Sequence, residues 1–336
     1  MNTITSEQWK KLQNAGWHGS QDVYAYFPVE GHGYRDKARY ESPLSFALKH
    51  VPELIMPLIQ AGAPIEVNTR FPLAGHLSPL MIAVNYQRHE AVRWMLNQQV
   101  NINHISERKF TVFHSLLENS TQIELFLPTL LSQGVDLFIP DPRNEKRKSN
   151  YLHAAILSGS YEAVSLLLKT NPYLANTSNQ NGDSPLVLVM ACDVEQDSKI
   201  IDELIKYQAN LNFLTKDGET PIGVSLYGFS TQKTLEKIKK LVEAGADMNQ
   251  PNQDGMTPLM LACDEHPEIA LYLLDKGANP NLVDKHGNNF WTLCEKHNPQ
   301  LYQEAMELIS LKDKEHLKQT LNTSQNPLKN SFKNHL

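Results

Sequence analysis

One short tripeptide constrains this chain more than any other feature. Thr257-Pro258-Leu259 recurs as Ser42-Pro43-Leu44, Ser78-Pro79-Leu80, Ser184-Pro185-Leu186 and Thr220-Pro221-Ile222, and weaker copies start at Thr111, Asn150 and Asn289. These eight anchors lie 36, 33, 39, 34, 36, 37 and 32 residues apart. Such a period marks a run of supersecondary units, none of which can bury its apolar side alone. The 336 residues, enough for two average domains, therefore read as one series of stacked units.

The local chemistry of a unit is legible. The anchor hydroxyl caps a helix, and proline at the first helical position gives up only an N–H that would be orphaned anyway. A short apolar helix follows, as in Leu259, Leu261 and Ala262. A second helix carries apolar residues at helical spacing, Ile269, Leu271, Leu273 and Leu274 in one unit and Val164, Leu166, Leu167 and Leu168 in another. It ends at Gly62, Gly134, Gly245 or Gly277, where glycine takes the left-handed conformation that closes a helix. A stretch of turn formers such as Gly277-Ala278-Asn279-Pro280-Asn281 leads to the next anchor.

From about residue 42 to 310 the sequence resembles the ankyrin-repeat family. Its TPLHxA motif is matched by Thr257-Pro258-Leu259 with Ala262, its histidine by His114 and His153, and its GADxN entry by Gly245-Ala246-Asp247-Met248-Asn249. The resemblance implies an all-α fold, an ankyrin-repeat α-solenoid of about eight helix-turn-helix-hairpin units with half-repeat caps. Two units depart from the pattern: the one at Thr111 lacks the proline, and the one at Thr220 places Gly223 in a helix. Three regions are expected. Residues 1–41 form an N-terminal capping helix and a long aromatic finger, 42–311 the repeats, and 312–336 a helical extension and disordered tail.

Function is expected where the period breaks. Five hairpin segments, counted from helix terminator to next anchor, are 12 residues long; those before Ser42, Ser78 and Asn150 are 26, 16 and 16. Insertions that recur on one face often mark the binding face. The first finger holds Trp17, Tyr24, Tyr26, Phe27, Tyr34, Tyr40 and Arg35; the second holds Arg70 and Phe71; the third holds Arg143, Lys146, Arg147 and Lys148. Tyr, Trp and Arg are the types enriched at interface hot spots. The expected partner-binding residues are Tyr24, Tyr26, Phe27, Tyr34, Arg35, Arg70, Phe71, Arg108, Arg143, Arg147 and Lys148. The competing structural reading of the first finger has its rings covering the exposed end of the stack. The extra residues Asp193–Lys199 and Tyr227–Thr234, between the paired helices of two later units, read as polar loops.

Other chemistries are weakly supported. Cys263-x-x-His266 and Cys294-x-x-His297 would suggest zinc, but their anchors are equivalent positions one repeat apart. Packed helices sit roughly 8–10 Å apart, whereas ligands of one zinc must converge to within about 4 Å. Buried thiols are expected, with no metal and no cofactor. His114 and His153 are expected to be structural. No nucleophile elbow, phosphate loop, HExxH or kinase signature is present. Asn103, Asn176, Asn212, Asn249 and Asn281 share one hairpin position, explained by asparagine's tolerance of left-handed geometry and bonding to its own backbone. The family resemblance makes Asn249 a candidate for hydroxylation by a host asparaginyl hydroxylase. Thirty-one Lys and Arg against 37 Asp and Glu argue against broad nucleic-acid binding. The longest apolar run, Leu186–Cys192, is seven residues, too short to span a membrane, and the polar start carries no secretory signal. Three cysteines suit a reducing cytoplasm.

The expected function is recognition of a protein partner by the concave face and fingers of a monomeric, non-enzymatic module. The alternative is an enzyme with a cryptic site in the concave groove. The frequent asparagines and irregular repeats resemble ankyrin-repeat effectors that intracellular bacterial pathogens deliver into host cells. An endogenous scaffold is the other binding-module reading.

Overall fold

The computed structural model describes residues 3–18, 21, 27–29, 39–66, 77–106, 110–117, 120–137, 150–179, 181–228 and 231–324, with side chains to 314. The helices are α1 (Ser6–Asn14), α2 (Pro43–His50), α3 (Ile55–Gln60), α4 (Pro79–Asn85), α5 (His89–Leu96), α6 (Val112–Leu117), α7 (Ser120–Ser132), α8 (Tyr151–Leu157), α9 (Tyr161–Thr170), α10 (Pro185–Ala191), α11 (Asp197–Lys206), α12 (Pro221–Ser225), α13 (Thr231–Glu243), α14 (Pro258–Leu261), α15 (Pro267–Asp275), α16 (Phe290–His297) and α17 (Pro299–Ser324). From α2 onward every even-numbered helix follows an anchor and every odd one is its antecedent's partner. The fold class is an all-α repeat solenoid. The chain divides into two compact units: unit 1 is Met1–Pro185 with Val194–Gln208, and unit 2 is Leu186–Asp193 with Ala209 onward.

The anchors do what their chemistry requires. Ser42, Ser78, Thr220 and Thr257 accept the backbone N–H three residues on, at 3.0, 3.2, 2.9 and 3.3 Å, each with proline at the start of the helix. Asn150 and Asn289 lack the hydroxyl but substitute a side-chain carbonyl, at 3.1 and 3.0 Å. The terminators Gly62, Gly134, Gly245 and Gly277 all have positive φ, between 79° and 96°. Gln208 fills the same role at φ 59°, a conformation that strains a non-glycine residue.

Within each unit a second device ties repeat to repeat. First-helix C-terminal carbonyls are orphaned by helix geometry, and a side chain from the following repeat satisfies them. In unit 1, Arg88 donates to the Leu48 carbonyl at 2.8 Å and Gln122 to that of Val84 at 2.9 Å. In unit 2, Lys237 donates to Val189 and Cys192 at 3.1 and 2.6 Å, His266 to Leu226 at 2.8 Å and Asn298 to Cys263 at 3.2 Å. The donors differ in chemistry, so no motif reveals the position.

In unit 1, α1 is a half-repeat cap: Trp9 and Leu12 are buried, and Thr5 and Gln8 form a reciprocal capping box. Trp17 is also buried and packs on Phe46, ring centroids 5.5 Å apart. The finger's other aromatic side chains lie outside the described residues. Part of the finger is a feature not expected from the sequence, an antiparallel ribbon of β1 (Phe27–Val29) and β2 (Arg39–Glu41), with Pro28 opposite Tyr40. Aromatic and β-branched residues favour such pairing. The expected tail, residues 325–336, lies outside the described residues.

Candidate functional site

The hairpins before the anchors are built by two layers of side-chain bonds. Five residues before an anchor stands a short polar side chain that closes the tip. Asn179 Oδ1 accepts the N–H groups of Asn181 and Asp183 in unit 1; in unit 2, Asn252 accepts those of Asp254 and Met256, and Asp284 those of His286 and Asn288. The side-chain amide of Asn288 and these N–H groups hold the Asp284 carboxyl below its ordinary range.

The repeated asparagines do something other than expected. None of Asn103, Asn176, Asn212, Asn249 and Asn281 is among the residues with left-handed φ. Their side chains reach beyond their own hairpin instead. In unit 1, Asn103 Oδ1 accepts the Asp136 N–H at 2.8 Å, and Asn176 donates to the Gln208 carbonyl at 2.9 Å. In unit 2, Asn212 accepts the Asp247 N–H at 2.8 Å, Asn249 the Asn279 N–H at 2.7 Å, and Asn281 the Trp291 indole N–H at 3.2 Å. Asparagine recurs there because a carboxamide can bridge to the next element. Hydroxylation of Asn249 would act on a side chain already engaged in this ladder.

Six residues before the anchor the chain turns outward, since adjacent residues of an extended strand point oppositely. Ser106 is buried beside exposed Ile105, and Asp284 is buried beside exposed Val283. Ten large apolar side chains are exposed among the described residues. Ile105, Leu214 and Val283 lie six before an anchor; Leu157 and Tyr227 lie seven after one, and Tyr86 eight after. Five of the ten fall at two repeat positions, and Tyr86 lies one residue from the second, which is a pattern and not a scatter of single residues. Tyr227 reaches from the end of the first helix back to the foot of the hairpin, where its hydroxyl donates to Glu219 Oε1 at 2.9 Å. Partial burial and that carboxylate push the phenol up to about 12.

The expected partner-binding residues Tyr24, Tyr26, Tyr34, Arg35, Arg70, Phe71, Arg108, Arg143, Arg147 and Lys148 lie outside the described residues, as does the side chain of Phe27. Reading burial against the anchors would have pointed to Tyr86, Leu157, Leu214, Tyr227 and Val283, apolar residues at positions where the hairpin and helix periods call for exposure.

The two extra segments both run into helix, at Asp197 and at Thr231. In unit 2, Lys233 pairs with Asp193 at 2.6 Å and draws that carboxyl below its usual range. In unit 1, Asp197–Lys199 already belong to α11.

His153 is fully buried, with Nδ1 2.8 Å from Asn150 Oδ1 and Nε2 3.3 Å from the Asp183 carbonyl. Burial pushes its pKa down, against the smaller opposing pull of Asp183. The unfolded chain takes up this proton near pH 6.5, so the folded state binds fewer protons below that point. The stabilisation is complete above about pH 6.5 and declines as pH falls toward the lower folded value. Replacing His153 with Gln should flatten the fall in melting temperature between pH 7.5 and 5; identical slopes in both proteins would refute the assignment.

Cys263 and Cys294 are both buried, and their thiols lie close enough to alter each other's ionisation. One repeat of displacement therefore does not separate the sulfurs, contrary to the spacing argument. The neighbouring Cys294 thiol eases ionisation of Cys263, while Cys263 and burial push the Cys294 thiol up. The histidines diverge: His266 is buried against the Leu226 carbonyl and His297 is exposed. No three His, Cys, Asp or Glu side chains among the described residues are grouped to hold a metal ion. Among them, no helix is long and apolar enough to cross a membrane.

Comparison with known proteins agrees with this architecture. A family model of three consecutive ankyrin repeats matches residues 188–284, and a single ankyrin-repeat model matches 75–104. An ankyrin repeat protein of Acanthamoeba polyphaga mimivirus is 35% identical over 120 residues, which are 34% of this chain and 70% of that protein. A second one from the same virus is 31% identical over 144 residues, 40% of this chain and 20% of the relative. A phosphocholine transferase of Legionella pneumophila is 28% identical over 191 residues, 51% of this chain and 20% of the enzyme. The chain thus spans only about a fifth of these last two relatives.

Proposed function

Because the chain belongs to the ankyrin-repeat family, a fold that generally mediates protein–protein interaction, we propose that it recognises a protein partner through the hairpin and first-helix surfaces that its repeats present within each unit. The observation that carries this reading is the recurrence of exposed apolar side chains six residues before an anchor and seven or eight after one. Tyr86, Ile105 and Leu157 supply them in unit 1, and Leu214, Tyr227 and Val283 in unit 2. Exposed apolar groups repeated on one surface mark interaction sites, whereas single ones need no explanation. The fingers, with Tyr24, Tyr26, Phe27, Tyr34, Arg35, Arg70, Phe71, Arg108, Arg143, Arg147 and Lys148, extend the same reading as its aromatic and basic anchors.

In this reading the chain has no catalysis of its own. The enzymatic name of the Legionella relative belongs to a protein of which only 20% is matched. Action inside a host cell is part of the same proposal, supported by that likeness to a Legionella protein.

The test is partner capture by the full chain from cell lysate. Tyr86→Ser with Leu157→Ser, or Leu214→Ser with Tyr227→Ser, should lower capture at least tenfold. Melting should be unchanged, because exposed substitutions usually cost within about 0.5 kcal/mol. Undiminished capture by both double variants would remove these surfaces from consideration.

A further inference from the structure

The chemistry of unit 2's face narrows the kind of partner it fits. Charge is segregated within that unit. The hairpin and first-helix segments 209–228, 244–266 and 277–298 hold eight acidic and three basic residues, whereas the second helices, 231–243 and 267–276, hold four acidic and five basic. Asp217, Asp254, Asp264, Glu265 and Glu295 are all exposed on the acidic segments.

Glu219 stands at the centre of this edge. Its Oε1 accepts from Tyr227 at 2.9 Å and from the Asn252 amide at 2.8 Å, both neutral donors. Its Oε2 is buried without a hydrogen-bond partner. The room for that oxygen comes from Gly223, the residue that breaks the family pattern of the first helix. A Cβ there would lie 3.0 Å from Oε2 and 3.1 Å from Thr220 Oγ1. The glycine is therefore what lets a carboxylate tuck against the helix start beneath an exposed aromatic ring. A carboxylate satisfied only by neutral donors, next to a ring 61% exposed, is chemistry suited to a cation.

The hairpins of the same unit carry an apolar row. Leu214, Pro251 and Val283 occupy the position six before the anchor in three consecutive hairpins, and all three are exposed. Stacked helical repeats are separated by roughly 10 Å, and an extended peptide advances about 3.3 Å per residue. Apolar residues at every third position of such a peptide would keep pace with the row.

Resting on the recognition reading above, we propose that the hairpin edge of unit 2 docks an extended basic-apolar peptide segment of a partner protein. Its apolar residues lie along Leu214, Pro251 and Val283, and a Lys or Arg side chain sits on Glu219 and the Tyr227 ring. The acidic segments around the seat supply the complementary field and steer association.

The test is fluorescence anisotropy of the full chain with two labelled nine-residue peptides, one repeating Leu-Lys-Ser and one repeating Leu-Glu-Ser. The basic peptide should bind and weaken at least tenfold between about 50 and 500 mM NaCl, as screening requires; the acidic one should not bind. Glu219→Gln should weaken the basic peptide about tenfold and reduce its salt dependence. Leu214→Ser with Val283→Ser should weaken it with the salt dependence intact. Equal binding of both peptides, or an unaltered affinity in Glu219→Gln, would overturn the proposal. If neither peptide binds while the face variants still abolish partner capture, the basic-peptide assignment falls and the recognition reading stands. If those variants also leave capture unchanged, both fall.

Discussion

Replacing Tyr151 with alanine is expected to destabilise unit 1 by about 3–5 kcal/mol, the range for emptying a large aromatic site in a core. Tyr151 is among the largest fully buried side chains. Its ring stacks on Phe113 with centroids 4.0 Å apart and an interplanar angle of 16°. Its hydroxyl donates to Thr111 Oγ1 at 2.9 Å, and Thr111 Oγ1 lies 2.9 Å from His114 Nδ1. One residue thus joins the first helices of two successive repeats through both packing and a buried polar chain. Tyr151→Phe keeps the ring and should lose only about 1 kcal/mol, the net worth of one hydrogen bond. Urea unfolding followed by Trp9, Trp17 and Trp94, the tryptophans of unit 1, measures both. Equal losses from the two variants would show that the hydroxyl, not the ring, is what matters.

Gly255→Ala should be a costly single-methyl change in unit 2, at about 3 kcal/mol. Two costs add. Gly255 has φ +82°, a left-handed conformation costing roughly 1–2 kcal/mol for any other residue. In addition, a Cβ would meet Asp284 Cα and Lys285 N at 3.0 Å. Those are backbone atoms of the next hairpin, fixed by the Lys285 N–H bond to the Asp254 carbonyl at 3.0 Å. They cannot swing aside as a flexible side chain would, and overpacking of this kind costs about 1–3 kcal/mol. Gly277→Ala is the control: its φ is +96°, with nothing within 4 Å of the added atom. It should carry only the conformational cost. Trp291, the tryptophan of unit 2, reports both unfolding transitions, and similar losses would eliminate the close-approach argument.

Much of the fold could be read locally because its determinants are local. A hydroxyl followed by proline caps and starts a helix with its own neighbours, and a glycine closes one through its own φ. The anchors Ser42, Ser78, Thr220 and Thr257 therefore fell where the tripeptide put them. Asn150 and Asn289 also cap, because a side-chain carbonyl presents an acceptor at the same reach as a hydroxyl. Gln208 shows the limit, since nothing in its type announces a left-handed terminator.

The functional surface was less legible. Attention to broken periods led to the fingers, where the side chains expected to bind a partner lie outside those the structure describes. The regular part of each repeat held a signal that composition hides: Leu214 and Val283 look like core residues until burial shows they are not. The role of Gly223 was equally invisible, since its meaning depends on Glu219 folding back over it.

By itself the sequence determined the repeat period, the caps, the helix pairs and the family, because these rest on interactions spanning a few residues and repeated along the chain. Only the tertiary structure decided what crosses from one repeat to the next within each unit. It brought the Cys263 and Cys294 thiols together, turned the repeated asparagines into bridges and had Lys237 cap a carbonyl 48 residues away. It also set which apolar side chains face water. The physical reason is that the stacking distance between repeats fixes these contacts, and no residue carries that distance in its type.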